Sequence, residues 1–288
     1  MTEIWTITKI LNWCAEYFRS KGIESARLDA EILLGHALKL TRMQLYLNFD
    51  RPLDATELAS FKGFVKRRSL FEPVAYITGE KEFWSRPFYI EPGVLIPRPD
   101  TEVLIETVLG RLKGCSGDLS GFELGTGSGA IAVTLLAELP VLRMTAVEIS
   151  ETAAKVTLEN AKRHGVADRL DLAREDFAIW MKTQQETQFN FIVSNPPYIA
   201  KHEFQTLPPD VLGFEPREAL DGGDDGLDFY KLLATFAERS LKPDGFIAVE
   251  IGDTQASAVV DLFCTAGFLE TTIKKDYAGL NRVVMASR

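Results

Sequence analysis

The 288-residue chain is 46% hydrophobic and 25% charged, with a formal net charge of -9. That composition fits a globular protein with room for one large domain, or for a catalytic domain and a smaller companion. Acid excess is confined to the second part: residues 1–80 carry 11 Lys and Arg against 10 Asp and Glu, residues 81–288 carry 21 against 31, which argues against a broad phosphate-neutralising face there.

The start, MTEIWTITKILNWC, has neither a basic n-region nor a small-residue cleavage site, so no signal peptide is expected. No apolar run approaches the roughly 20 residues of a membrane span. Cys14, Cys115 and Cys264 are far apart, and the three histidines have no metal-ligand spacing. Reduced thiols, a cytoplasmic location and no metal are the expectation.

The first 70 residues predict helices. Ile4, Ile7, Leu11, Cys14 and Phe18 step by three and four along one face. Gly22 follows as a stop, and Ser25 precedes a second helix through Leu28, Ile32 and Leu33. Thr41 with Gln44, and Asp54 with Glu57, have capping-box spacing; the second pair opens a helix with Leu58, Phe61 and Val65 on its face. The run Lys66-Arg67-Arg68 reads as a solvated helix end. A small bundle over 1–72 is expected, followed by an ordered, proline-punctuated connector over 73–99 in which EFWSRPFYI is a short strand or hairpin.

From residue 100 to 288 the pattern is α/β. The apolar runs 121–124, 142–149, 189–194 and 245–251 read as strands buried on both faces. LDLA (170–173) reads as another, and Val283–Met285 as a last one. Helical stretches over 101–113, 129–138, 151–164 and 228–241 alternate with them. Such alternation predicts a parallel, doubly wound, Rossmann-like sheet with its ligand at the carboxyl ends of the strands.

ELGTGSGAIAV (123–133) is a strand, a glycine-rich turn and a helix start. Gly125, Gly127 and Gly129, with Thr126 and Ser128 between them, let backbone N–H groups approach a ligand closely. Glu148, at the end of the next strand, is placed to accept both ribose hydroxyls. Those features suit NAD and S-adenosylmethionine equally. Two others favour S-adenosylmethionine: Glu123 puts a carboxylate near a sulfonium and an α-ammonium, and Asp176-Phe177 offers an acceptor and a ring to adenine. Loop support and helix capping are the structural alternatives for Glu123 and Asp176.

Residues 191–198 read FIVSNPPY, a buried strand that stops on Asn195-Pro196-Pro197-Tyr198. Prolines hold φ and remove N–H donors, so the Asn195 side-chain carbonyl and the Pro196 backbone carbonyl can converge on one –NH2 group. Tyr198 supplies a flat face for a planar amide or base. A simple turn is the alternative; its place after a buried strand beyond a glycine-rich loop favours a site that methylates a planar nitrogen.

The chain resembles the glutamine-N5 methyltransferase of peptide chain release factors, the PrmC/HemK family. The resemblance spans nearly all of it, through EPVAYITGEKEFW (72–84), VLIPRPDTE (94–102), ELGTGSG (123–129), SNPPYI (194–199), EPREALDGGDDGL (215–227) and EIG (250–252). It implies a seven-stranded methyltransferase domain, with a helical amino-terminal domain that helps dock the substrate. It also implies methyl transfer from S-adenosylmethionine to the glutamine amide of the Gly-Gly-Gln motif in release factors, a translation-termination modification, leaving S-adenosylhomocysteine. Carried over residue by residue, cofactor binding falls to Gly125–Gly129, Glu148 and Asn195, and the substrate amide to Asn195–Tyr198. Arg98 and Glu102 are candidate substrate contacts, with a structural salt bridge as the alternative. Glu215, Arg217 and Asp221 are expected in a loop over the cleft, and His202 in solvent.

The tetrapeptide is shared with adenine-N6 methyltransferases of nucleic acids and with an enzyme that methylates a ribosomal-protein glutamine. The acidic balance argues against nucleic acid. A non-catalytic S-adenosylmethionine-binding factor would not need the converging acceptors, and an NAD oxidoreductase has no other feature in its favour. A monomer is expected, with release factors as partners and no membrane.

Overall fold

The structure, a computed structural model, describes residues 4–183 and 188–288. Residues 1–3 of the amino-terminal run considered above lie outside the described residues. In chain order the elements are α1 (Ile7–Ser20), α2 (Ala26–Leu38), α3 (Arg42–Leu47), α4 (Ala55–Arg68), α5 (Val74–Thr78), β1 (Glu80–Phe83), β2 (Arg86–Tyr89), α6 (Glu102–Leu112), β3 (Leu119–Leu124), α7 (Ala130–Glu138), β4 (Leu142–Glu148), α8 (Glu151–Arg163), β5 (Leu170–Arg174), α9 (Phe177–Thr183), β6 (Phe189–Ser194), α10 (Pro209–Phe214), α11 (Asp228–Ser240), β7 (Leu241–Glu250), α12 (Ala256–Thr265), β8 (Glu270–Lys275) and β9 (Asn281–Ser287). They form two compact units: the chain up to Glu80 with Pro208–Phe214, and Lys81–Leu207 with Glu215–Arg288.

The first unit is helical. Thr6 caps α1 by accepting from the Lys9 N–H, and the helix ends where Gly22, at φ 82°, lets its own N–H reach the Arg19 carbonyl while Ile23 reaches Phe18. Ile7, Leu11, Cys14 and Phe18 are buried as their spacing predicts, but Ile4 precedes the cap and is exposed. Both capping boxes form, Thr41 with Gln44 and Asp54 with Glu57. Leu33 joins the core, whereas Leu28, in the same helix, is exposed. Ile77 of α5 packs into that core as well, so the helical part runs past the expected end at 72.

The basic run corrects a further expectation. Lys66 is exposed, but Arg68 is buried, donating from Nε to Asp29 at 2.7 Å and from Nη1 to the carbonyls of Phe71 and Glu72. Arg67 is paired with Glu72. Two of the three cations are therefore structural.

The second unit holds a β1–β2 hairpin and a seven-stranded sheet ordered β5-β4-β3-β6-β7-β9-β8. Neighbours from β5 to β7 pair in parallel, and β9 runs antiparallel to both β7 and β8. Strand order turns back between β3 and β6, which makes the ends of those two strands the switch point where a ligand crevice opens. Phe122 is fully buried, its ring 4.7 Å from that of Phe236 and 5.1 Å from that of Trp180, in an apolar core shared with β6, β7, α11 and α12. The expected strands and helices all form with small shifts at their ends, and α5, α9, α10, α12 and β8 are additional. Every residue of β8 is exposed, which is why an apolar pattern could not announce it.

Candidate active site

β3 and β6 pair with Leu124 opposite Ser194. The glycine loop and Asn195 therefore leave neighbouring strands at the same level, on the two sides of the switch point. Ser194, fully buried, donates its hydroxyl to the Leu124 carbonyl at 2.8 Å, locking the two strand ends together.

The loop takes three left-handed residues, Gly125, Gly127 and Gly129, at φ 71°, 56° and 81°. Their uses differ. A Cβ at Gly125 or Gly127 would meet nothing within 4 Å, so these two leave open space for a ligand to approach the backbone. At Gly129 a Cβ would lie 3.2 Å from the Thr157 methyl, so that glycine serves helix packing.

Thr126 and Ser128 are buried rather than offered to a ligand. Thr157 donates to the Thr126 hydroxyl at 2.9 Å, with the Gly127 carbonyl 3.1 Å from the same oxygen. Asn160 donates from Nδ2 to the carbonyls of Ser128 and Tyr89, both at 2.9 Å, and accepts from the Tyr89 N–H at 2.7 Å. Thr157 and Asn160 thus carry the loop from beneath, a role that sequence spacing did not indicate. The available signal was two polar residues on the buried stripe of α8.

Glu123 has no exposed surface; its Oε2 accepts from the Ala132 N–H at 3.0 Å, and its Oε1 has no partner among the described residues. Burial pushes its carboxyl well above the ordinary carboxylate range. Glu148 accepts from the Gly127 N–H through Oε2 and from the Ser150 N–H through Oε1, both at 2.9 Å. Each of those oxygens keeps a second lone pair for a hydroxyl. An open glycine cradle and a carboxylate at the end of the next strand together fit the ribose of S-adenosylmethionine.

Asp176 caps α9, accepting from the Ile179 N–H at 3.1 Å. The expectation for Phe177 needs correction. Its ring is buried in the core, 5.3 Å from that of Phe236 and 5.7 Å from that of Phe122, and gives adenine no free face.

Asn195 is half-buried, and its Nδ2 donates to the Thr101 hydroxyl at 3.2 Å. Pro196 is buried; Pro197 and Tyr198 are partly so. Burial, with Glu250 nearby, raises the Tyr198 hydroxyl to about 12, so it stays a neutral ring with a polar tip. Behind the tetrapeptide lies the 220–226 loop, with Ile199 donating to Leu220 and Gly222 to Ile199. A Cβ on Gly222 would come within 2.9 Å of the Pro197 carbonyl oxygen and 2.8 Å of the Tyr198 Cα. Only glycine allows that approach. Gln255 donates to the carbonyls of Tyr198 and Gly226, tying the same loop to α12.

Arg98 and Glu102 take structural partners. Arg98 pairs with the buried Glu215, which also accepts from the Ile96 N–H at 3.2 Å. Glu102 accepts from the Trp84 N–H at 2.8 Å, at a hairpin turn whose two residues, Trp84 and Ser85, are left-handed without being glycine. Arg217 lies over the Phe204 ring and 3.4 Å from Asp221, and His202 is exposed.

Comparison with known proteins identifies the family. Residues 9–79 match the family described as PrmC N-terminal domain, and residues 99–208 match Methyltransferase small domain. A release factor glutamine methyltransferase of Geobacter sulfurreducens is 44% identical over 282 residues, covering 98% of this chain and 96% of that one. One of the same description from Moorella thermoacetica is 40% identical over 284 residues, covering 98% and 99%. A methyltransferase structure from Pyrococcus furiosus, 18% identical, shares the fold at a TM-score of 0.50 over 77% of this chain and 96% of that one. Identity at this level along the whole length of both chains is that of one family, and this chain belongs to the release factor glutamine methyltransferases.

Proposed function

We propose that this protein transfers a methyl group from S-adenosylmethionine to the side-chain amide nitrogen of the glutamine in the Gly-Gly-Gln motif of peptide chain release factors. The observation that carries this reading is the register of β3 against β6, which sets the glycine cradle and Asn195 side by side at the switch point. Full-length relationship to proteins so described supports the substrate. No helix among the described residues is long and apolar enough to cross a membrane, and a release factor in the cytoplasm is the partner the reading requires.

S-adenosylmethionine, held by the cradle and Glu148, supplies the methyl group and leaves as S-adenosylhomocysteine. Asn195 Oδ1 and the Pro196 carbonyl accept the two N–H groups of the incoming amide, while Tyr198 covers one face of it. An amide nitrogen delocalises its lone pair into the carbonyl; holding both hydrogens favours the pyramidal geometry from which that pair attacks carbon. As the new N–C bond forms and the S–C bond breaks, nitrogen becomes cationic and sheds one of the two protons, so no strong base is needed. Placement supplies most of the rate, since a ~1 Å error can cost ~100-fold. A target without the –NH2 would leave two acceptors unpaired, at about 1–3 kcal/mol each.

The test is methyl transfer from labelled S-adenosylmethionine to purified release factor, beside a version whose Gly-Gly-Gln glutamine is alanine. Label on the first only is the expected result. Label on both would move the site elsewhere, and label on neither would remove release factors as the substrate.

A further inference from the structure

Asn195-Pro196-Pro197-Tyr198 cannot be tied down through the N–H groups of its middle. Pro196 and Pro197 have none, their rings hold φ, and a residue that precedes a proline is kept extended. Such a segment is stiff, and its direction depends on how its two ends are fixed. β6 fixes the first end, through the pairing of Ser194 with Leu124 and Val249. The second end is the peptide between Tyr198 and Ile199, and both of its polar groups are engaged. The Ile199 N–H donates to the Leu220 carbonyl at 2.9 Å, and the Tyr198 carbonyl accepts from Gln255 Nε2 at 2.9 Å.

Gln255 stands just ahead of α12, and backbone groups leave its amide one orientation. The Gly252 N–H, which can only donate, lies 3.0 Å from Oε1. The carbonyls of Tyr198 and Gly226, which can only accept, lie 2.9 and 3.3 Å from Nε2. A half-turn of the amide would set oxygen against two oxygens and NH2 against N–H. Residue 226 has to be glycine for this contact to form. A Cβ there would run into both the Tyr198 carbonyl oxygen and Gln255 Nε2, and its φ of 74° is left-handed.

We propose that Gln255 is a positioning residue for methyl transfer: by holding the Tyr198–Ile199 peptide it aims the Tyr198 ring and the Pro196 carbonyl at the substrate amide. Gln255 acts on backbone atoms at the end of the tetrapeptide, so it contributes direction rather than contact with the reacting atoms. This inference rests on the methyl-transfer reading above for its kinetic consequence, but not for its geometry.

The test compares Gln255→Met and Gln255→Glu with the unaltered enzyme. Methionine matches the side chain in reach and removes all of its hydrogen bonds. Glutamate keeps an acceptor for the Gly252 N–H and loses the NH2 group that faces Tyr198. Two readouts are needed. The first is kcat and KM for release-factor methylation, with S-adenosylhomocysteine affinity measured by calorimetry. Methionine should lower kcat about tenfold, part of the ~100-fold that a ~1 Å error can cost, with cofactor affinity within about twofold.

The second readout needs no turnover. Tyr is followed by Ile at three places, 76–77, 89–90 and 198–199. Protein carrying 13C in tyrosine carbonyls and 15N in isoleucine therefore gives three linked signals, and that of Tyr198 is the one lost in Tyr198→Phe. Its carbonyl line should move upfield in Gln255→Met, as a carbonyl does on losing a donor. In Gln255→Glu, kcat should follow that line, falling if the line moves and holding if a protonated carboxyl keeps it in place. Undiminished kcat in folded Gln255→Met, a Tyr198 line unmoved there, or a loss confined to cofactor affinity overturns the proposal. So does a glutamate variant in which line and kcat part company. If the unaltered protein fails to label release factor, the substrate reading falls, and the Tyr198 line still decides the contact.

Discussion

Ser194 and Leu124 face each other across β6 and β3, and the Ser194 hydroxyl closes the gap with a 2.8 Å bond to the Leu124 carbonyl. That bond adds to the backbone pairing of the strand end that launches the glycine loop with the one that launches Asn195. Replacing Ser194 with alanine removes this bond, a loss of about 0.5–1.5 kcal/mol. The midpoint of urea unfolding should fall accordingly, and KM for S-adenosylmethionine should rise because the loop is no longer anchored. Unchanged values of both would mean that the bond matters to neither.

Glu148→Ala and Asn195→Ala should separate binding from chemistry. Glu148 holds the Gly127 N–H as well as its proposed ribose contacts, so its loss should weaken cofactor binding tenfold or more. Asn195→Ala should keep cofactor affinity within a few-fold and lower kcat about 100-fold, the scale of a misplaced nucleophile. Calorimetry with S-adenosylhomocysteine, alongside turnover, distinguishes the two; a reversed pattern would exchange their roles.

Arg68 should behave as a core residue despite its place in a basic run. Both it and Asp29 are buried, and their bond is 2.7 Å long. Arg68→Ala strands the Asp29 carboxylate, and breaking a buried pair in this way costs about 3–5 kcal/mol. Thermal unfolding of the variant should show the loss at low and high salt alike, since a buried pair is poorly screened. A salt-dependent or negligible change would return Arg68 to the solvated surface.

Glu250 should make stability depend on pH. Burial raises its carboxyl from an ordinary 4.5 to about 7. The Thr101 hydroxyl and the cations of Arg282 and Arg98 oppose the rise, Asp100 adds to it, and the neutral Tyr198 and Tyr230 lie close by. At pH 4 folded and unfolded chains both hold the proton. From 4.5 to 7 the unfolded chain releases it while the folded chain keeps it, so stability falls with rising pH, and the loss is complete above about 7. At ~1.4 kcal/mol per pH unit the full effect is roughly 3 kcal/mol. Glu250→Gln should therefore match the unaltered protein at pH 4.5 and exceed it at pH 8 in unfolding free energy. A difference that is flat across this range would place the titration elsewhere.

Much of the fold was legible because its signals are local. Thr41 with Gln44 and Asp54 with Glu57 close their boxes within one helical turn, and largely buried strands such as Phe189–Ser194 declare themselves as apolar runs. Local pattern misleads where distant residues intervene. Arg68 reads as a surface cation until Asp29, from another helix, is placed beside it. Phe177 reads as a ring for adenine until Phe122 and Phe236 close around it. β8 is invisible because an edge strand with both faces in water has no apolar period to display.

For the site, the sequence by itself determined the chemistry: a glycine turn after one strand, a carboxylate after the next, and an amide between a buried strand and two prolines. Each is a run of neighbours whose conformational limits travel with them. Tertiary structure alone decided how these pieces are held. Thr157 and Asn160 support the loop from α8, Gly222 lets another loop lie against Pro197, and Thr101 reaches Asn195 from a segment 94 residues away along the chain. Hydrogen bonds of that kind depend on which strands are neighbours and in what register, and pairing of β6 with both β3 and β7 is a property of the assembled sheet.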